Sequence, residues 1–193
     1  MKFVILEGSP RADGNTAALT GPFAEELRAL GAGTERFRLY DMKIQPCIAC
    51  RACQKDHGIF GCSQQDDAQR IFDAVLAADI LVLATPIYSW YCPAPMKALL
   101  DRFVYGMNKF YGDSVGPSLW EGRALALLVT CGYRPEKGAD LFEEGIRRYA
   151  KHSRLVYRGM HAERHLGYNT VFMDEEKEVR VRAFARALLE PQA

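Results

Sequence analysis

No stretch of this 193-residue chain runs apolar for the ~20 residues that a membrane-spanning helix needs; the longest run, ALALLVT at 124–130, has the length of a strand. Charge of one sign is lacking too. The 25 basic and 24 acidic residues leave a formal charge of +1, so no global field recruits nucleic acid or an anionic membrane. The N-terminal apolar run stops after Leu6 and meets Glu7, short of the apolar core of a signal peptide, and a cytoplasmic protein is expected. No repeat, low-complexity tract or linker divides the chain, which reads as a single domain over 1–193. Cysteine, by contrast, is plentiful: there are six. Without a secretion signal, clustered cysteines point to metal binding or redox chemistry rather than disulfides.

Short apolar runs alternate with longer amphipathic ones, the pattern of an α/β domain with a mainly parallel sheet. Strands are expected at 2–6, 35–40, 79–86, 123–131 and 154–160. Helices are expected at 15–30, 66–78, 94–106, 138–153 and 175–189, with Gly21-Pro22 disturbing the first. Five strands so interleaved fit a doubly wound five-stranded sheet of order 2-1-3-4-5, with helices on both faces. The aromatic, glycine-rich tract 103–122 fits neither element. It reads as a loop packed on the domain or as a lid or subunit contact beside a site.

The loop GSPRADGNT (8–16) joins a buried strand to a helix N-terminus. Orphan backbone N–H groups and the helix dipole favour an anion there. Ser9 and Thr16 add hydroxyls, Asn15 an amide and Arg11 a forked guanidinium. The loop lacks the lysine of a Walker motif and the spacing G-x-G-x-x-G, which disfavours a nucleoside triphosphate or NAD bound in the usual manner. A single terminal phosphate suits it, as does a plain helix cap. Parallel strands would bring two further loops to the same edge. TPIYSWYC (85–92) offers Pro86, Ile87, Tyr88, Ser89 and Trp90, whose flat apolar surfaces suit a planar heteroaromatic ring or pack on the next helix. TCGY (130–133) offers backbone donors with little obstruction at Gly132. The four histidines, at 57, 152, 161 and 165, fall outside these loops and read as surface or structural, with the segment RGMHAERH (158–165) beyond the fifth strand a candidate border of the site.

Cys47, Cys50 and Cys53 follow C-x2-C-x2-C spacing, which lets one loop present three thiolates to one iron–sulfur cluster, and Cys62 can supply a fourth. Zinc with His57 is an alternative to which the even spacing is less suited. Small buried hydrophobes packing the loop are the metal-free alternative.

Together GSPRADGNT, PCIACRAC, DDAQRIFDAVLAADILVLATPIYSW and APMKALLDR resemble the flavodoxin-like NAD(P)H-dependent FMN reductase superfamily, especially its cysteine-bearing branch that includes the iron–sulfur flavoproteins. The resemblance implies FMN, with Ser9, Arg11, Asn15 and Thr16 on its phosphate. Pro86, Ile87, Tyr88, Ser89 and Trp90 would line the isoalloxazine ring, and Thr130, Cys131, Gly132 and Tyr133 its pyrimidine end. It also implies an oxidoreductase passing reducing equivalents from NAD(P)H through flavin N5 to a small acceptor such as a quinone or flavin, without a catalytic side chain. The alternative is an electron-transfer protein with FMN and a [4Fe–4S] cluster on Cys47, Cys50, Cys53 and Cys62. Relatives are often homodimers or homotetramers. Asp101-Arg102 matches the same pattern and reads as a helix-terminal brace rather than chemistry.

Overall fold

The computed structural model of the chain describes residues 1–167 and 169–191. Its elements run β1 (Lys2–Glu7), α1 (Asn15–Ala29), β2 (Gly33–Arg38), α2 (Ala68–Leu76), β3 (Ile80–Pro86), α3 (Ala94–Met107), β4 (Ala124–Cys131), α4 (Pro135–Gly138), α5 (Asp140–His152), β5 (Val156–Arg164) and α6 (Glu175–Leu189). The strands form one sheet in the order β2-β1-β3-β4-β5, and every pairing is parallel. The expected flavodoxin-like α/β architecture is therefore present.

Strand periodicity sorts the core into two layers, because successive side chains point to opposite faces. Val4, Leu6, Leu81, Leu83, Leu125 and Leu127 meet α2, α3 and α5 through Ile71, Phe72, Leu99, Phe103, Phe142 and Ile146. Phe3, Ile5, Val82, Ala84 and Leu128 meet α1 and α6 through Leu19, Phe23, Leu27, Val181, Ala185 and Leu188. Helices thus cover both faces, and the central strands β1, β3 and β4 are buried on each side, as the interior of a parallel sheet requires.

Some boundaries differ from expectation. Helix α1 continues through Pro22. Arg182 of α6 reaches the Pro22 carbonyl (3.2 Å) and the carboxylates of Glu25 and Glu26, so tertiary packing overrides local propensity there. Strand β2 begins and ends two residues early, and Leu39–Asp41 turn instead as a 3₁₀ helix. Strand β5 extends to Arg164 rather than 160, which bears directly on the site.

The tract after α3 packs onto the domain. Trp120 is buried, as are Phe103 and Met107 at the end of the helix. Buried Asn108 organises it: its amide donates to Ser153 Oγ (2.9 Å), and its carbonyl accepts from Ser118 Oγ and Trp120 Nε1 (both 3.0 Å). Each polar atom in this network has a partner, which a buried amide needs to be tolerated. Tyr105, in the last turns of α3, and Tyr111, in the tract itself, face a cavity described below.

Candidate functional site: two adjoining cavities and a cysteine pocket

The carboxyl ends of β1, β3 and β4 deliver three loops to one edge of the sheet, and backbone bonds stitch them together. The Gly8 amide donates to the Ala84 carbonyl and the Ile87 amide to the Thr130 carbonyl, each at 2.8 Å. The hydroxyls of Thr16 and Thr130 share a buried 2.8 Å hydrogen bond. Gly8 is needed for this approach, since a Cβ there would lie 3.0 Å from Met96 Cε and Thr85 Oγ1.

Two cavities open along this edge. The first, about 300 Å³, is lined by Ser9, Arg11, Asn15, Thr16, Pro86, Ile87, Tyr88 and Thr130, together with His165, Gly167 and Thr170. It sits at the N-terminus of α1, whose N-cap is Gly14 and makes no side-chain cap bond. The first amides of the helix are left for another acceptor, and the dipole favours an anion. Ser9 Oγ accepts from the Arg11 amide (3.3 Å) and donates to the Arg11 carbonyl (3.2 Å), which tightens the loop.

The second cavity, about 350 Å³, is lined by Ile87, Tyr88, Ser89, Trp90, Cys131, Gly132, Tyr133, Gly138 and His165. The two share Ile87, Tyr88 and His165, so they adjoin. Ser89 and Trp90 both adopt positive φ (50° and 62°), in a two-residue turn closed by reciprocal Tyr88–Tyr91 backbone bonds of 2.8 and 3.0 Å. Side chains other than glycine and asparagine adopt this conformation at a cost of about 1–2 kcal/mol per residue, and such strain concentrates at ligand sites. The turn leaves Tyr88 and Trp90 about half exposed at the rim, beside Tyr133. Trp90 is fixed by its indole N–H on the Lys137 carbonyl (3.1 Å) and lies nearly parallel to Tyr133.

All thirteen residues read from the three loops therefore reach one cavity or the other. His165, the last residue of the RGMHAERH segment read as a border of the site, joins them, and Gly138, Gly167 and Thr170 do so without a prior signal. The extended β5 carries His165 to the strand end, where its amide donates to the Cys131 carbonyl (2.9 Å). Its ring lies 3.3 Å from where a Cβ on Gly132 would stand. Burial pushes the Cys131 thiol up to about 11 and the Cys92 thiol up to about 12. Both stay protonated at neutral pH, which suits packing rather than nucleophilic chemistry.

The cysteine loop forms a third, separate pocket of about 210 Å³. Cys47, Cys50, Cys53 and Cys62 all line it, with Phe60, Arg102, Tyr105 and Tyr111 among their neighbours. Cys47, Cys53 and Cys62 are partly buried, Cys62 packing against the core, while Cys50 is exposed. Among the described residues no three ligating side chains converge as they would on one bound ion. His57 lines the neighbouring, more open pocket rather than this one, so it is not brought together with the four thiols. Ala49 and Arg51 at positive φ curl the loop, and two buried polar side chains hold it. Lys109 Nζ donates to the carbonyls of Cys53 (2.6 Å) and Phe60 (3.3 Å). Gln54 donates to the Asn108 carbonyl and accepts from the Tyr111 amide, each at 3.0 Å.

The profile of the NADPH-dependent FMN reductase family matches residues 1–162. The chain belongs to that family. An iron–sulfur flavoprotein of Methanosarcina thermophila is 33% identical over 124 residues, covering 63% of this chain and 63% of that protein. Another, of Archaeoglobus fulgidus, is 32% identical over 157 residues, covering 81% and 68%. These matches span about two thirds of the length of either relative. The NAD(P)H:quinone oxidoreductase of Methanothermobacter marburgensis shares the fold, with a TM-score of 0.73 at 20% identity over 100% of this chain and 98% of that one.

In this FMN reductase family member, Asp101 and Arg102 do different jobs. Exposed Asp101 pairs with Lys97 one turn earlier (2.6 Å). Arg102 points inward to Asp66 (2.5 Å), with both side chains buried. Burial opposes charge on Asp66, yet the Arg102 hydrogen bond, helped by the Gln45 and Ala68 amides, holds its carboxyl below the usual carboxylate range. A carboxyl lowered by folding stabilises the protein at pH above its unfolded value of about 3.9. That contribution is lost as pH falls through the lowered folded value. Asp66→Asn is expected to cost about 3 kcal/mol at neutral pH by breaking a buried pair. In urea titrations the gap between wild type and variant should hold down to about pH 5 and shrink below about pH 4. A gap independent of pH would contradict the pairing.

Proposed function

We propose that this chain is an FMN-dependent oxidoreductase, passing reducing equivalents from NAD(P)H to a small acceptor such as a quinone. The adjoining pair of cavities carries this reading. One presents an anion-receptive helix terminus with hydroxyls and a guanidinium, and the next presents flat, half-exposed aromatics. A phosphate joined to a planar ring system matches that sequence of surfaces. The family to which the chain belongs, and the names of its relatives, support the same cofactor.

The residues fit the group. Ser9, Arg11, Asn15 and Thr16 would hold its phosphate, where the unblocked amides of α1 and the positive helix end favour a dianion. Tyr88, Trp90 and Tyr133 would border the ring and exclude water from one side, while Ile87 and Gly132 leave room for its edge. When bound, FMN would take a hydride from NAD(P)H and pass electrons to the acceptor; the protein supplies orientation and electrostatics. No side chain is assigned as a proton donor, although His165 now stands beside both cavities. A cytoplasmic location, supported by the six cysteines, and a homodimer or homotetramer complete the reading. The exposed Tyr88, Trp90 and Tyr133 make the rim of the ring cavity the natural face for a second copy.

Rapid mixing without oxygen tests the assignment. NADH or NADPH is expected to bleach the flavin's visible band in FMN-loaded protein, and a quinone to restore it. A flavin that dithionite reduces but neither nucleotide does would rule the reductase out.

A second reading, an iron–sulfur flavoprotein, rests on one observation: four thiols line a single pocket with a buried guanidinium at one of them. Cys47, Cys50, Cys53 and Cys62 would be the ligands, and a [4Fe–4S] cluster there would supply one-electron transfer beside the flavin. The even C-x2-C-x2-C spacing suits such a cluster better than zinc, which favours two separated pairs.

A further inference from the structure

Eight residues, QKDHGIFG, separate Cys62 from Cys53, so sequence spacing alone does not deliver it beside the other three thiols. We propose that the buried Arg102–Asp66 pair is a positioning device that closes the neck of the cysteine loop and holds Cys62 at the fourth corner of the site. The inference rests on the iron–sulfur reading above.

The pair ties together three separate pieces of chain. Asp66 lies four residues after Cys62, and its Oδ2 accepts from the amide of Gln45 (2.8 Å), two residues before Cys47. Its Oδ1 accepts from the Ala68 amide (3.1 Å) at the start of α2. One carboxylate therefore pins both ends of the loop. Neighbouring bonds complete the neck: the Lys43 amide to Asp67 Oδ2 (2.7 Å), and Gln64 Nε2 to the Pro46 carbonyl (3.0 Å). Arg102 arrives from α3. One amino group binds Asp66 and reaches toward the Gln45 carbonyl (3.4 Å), and the other donates to Cys62 Sγ (3.3 Å).

Arg102 Nε is buried with no hydrogen-bond partner. The guanidinium lines the cysteine pocket while 2% exposed as a residue. A buried cation with an unpaired N–H, already donating to sulfur, is arranged to receive negative charge there. Four thiolates around a cluster would provide it. Hydrogen bonds to ligand sulfur and a nearby positive charge both favour the reduced state, so the pair would also raise the cluster's potential.

Three proteins purified without oxygen test this: the parent, Arg102→Lys, and the double variant Asp66→Asn/Arg102→Gln, which removes both charges together so that neither is left buried alone. Iron, acid-labile sulfide and FMN are counted in each, followed by chelator challenge and a potentiometric titration read by electron paramagnetic resonance. The parent is expected to hold iron and sulfide alongside FMN. The double variant is expected to keep FMN, showing that it is folded, but to bind iron about 10-fold or more weakly, with any remaining cluster at a more negative potential. Arg102→Lys, which retains the charge, should fall between them, and it carries the test if the double variant fails to fold. Variants with parental iron retention and parental potential would overturn the brace. A parent holding FMN but neither iron nor sulfide would defeat the iron–sulfur reading itself, and the brace with it.

Discussion

Arg11→Glu is expected to weaken FMN binding about 100-fold, equivalent to ~2.7 kcal/mol, while leaving the denaturation midpoint unchanged. Arg11 is exposed and forms no ion pair among the described contacts, so its replacement touches neither core. It lines the cavity at the N-terminus of α1, where a charge-assisted bond to phosphate is worth about 1.5–3 kcal/mol. Glutamate removes that bond and sets a like charge against the dianion. Two controls separate this cause from general damage. Riboflavin, which lacks the phosphate, should bind the variant and parent equally. The FMN deficit should narrow at high salt, because the interaction is solvent-exposed and screened. Equal losses for riboflavin and FMN would place the phosphate elsewhere.

Gly106→Ala is expected to destabilise the protein by about 3–5 kcal/mol, the cost of displacing a buried phenylalanine. Gly106 lies in α3, where alanine ordinarily improves a helix by about 1 kcal/mol. Here the new methyl would occupy the ring of Phe60. Phe60 belongs to the cysteine loop and is buried against Phe72, so it cannot step aside without leaving its seat. The two sites should be coupled: Phe60→Ala carries its own cavity cost, and adding Gly106→Ala to it should cost almost nothing further. Urea unfolding of the four proteins in a double-mutant cycle measures this. Additive costs would mean that Phe60 does not rest on Gly106.

These two sites differ in how far they could be read from sequence. The cavity-lining loop at 8–16 was legible because its logic is local: a buried strand, a turn with small and polar residues, then a helix start. Strands β1, β3 and β4 were legible because two-sided burial makes them continuously apolar. Their parallel order then placed the three loops on one edge. His165 was legible only as the end of a segment, 158–165, beyond the fifth strand. It reaches the cavities only because β5 runs to Arg164, and that strand mixes Arg158, His161 and Glu163 with Gly159 at positive φ, which blurs any apolar signal. The tract after α3 was opaque for a related reason. Its anchors, Asn108 to Ser153 and Lys109 to the carbonyls of Cys53 and Phe60, are long-range, and a buried lysine runs against its type. The Asp101-Arg102 pair was read as a brace, but its partner, Asp66, lies 36 residues away and only the fold identifies it.

The proposed function requires the two adjoining cavities to form one FMN site. Titrating cofactor-free protein with FMN and following flavin fluorescence tests it most directly. Saturable binding with one equivalent of FMN per chain is expected, weakened by Arg11→Glu and indifferent to removal of the cysteine-pocket pair. Folded protein that leaves FMN fluorescence unchanged in excess cofactor would contradict it.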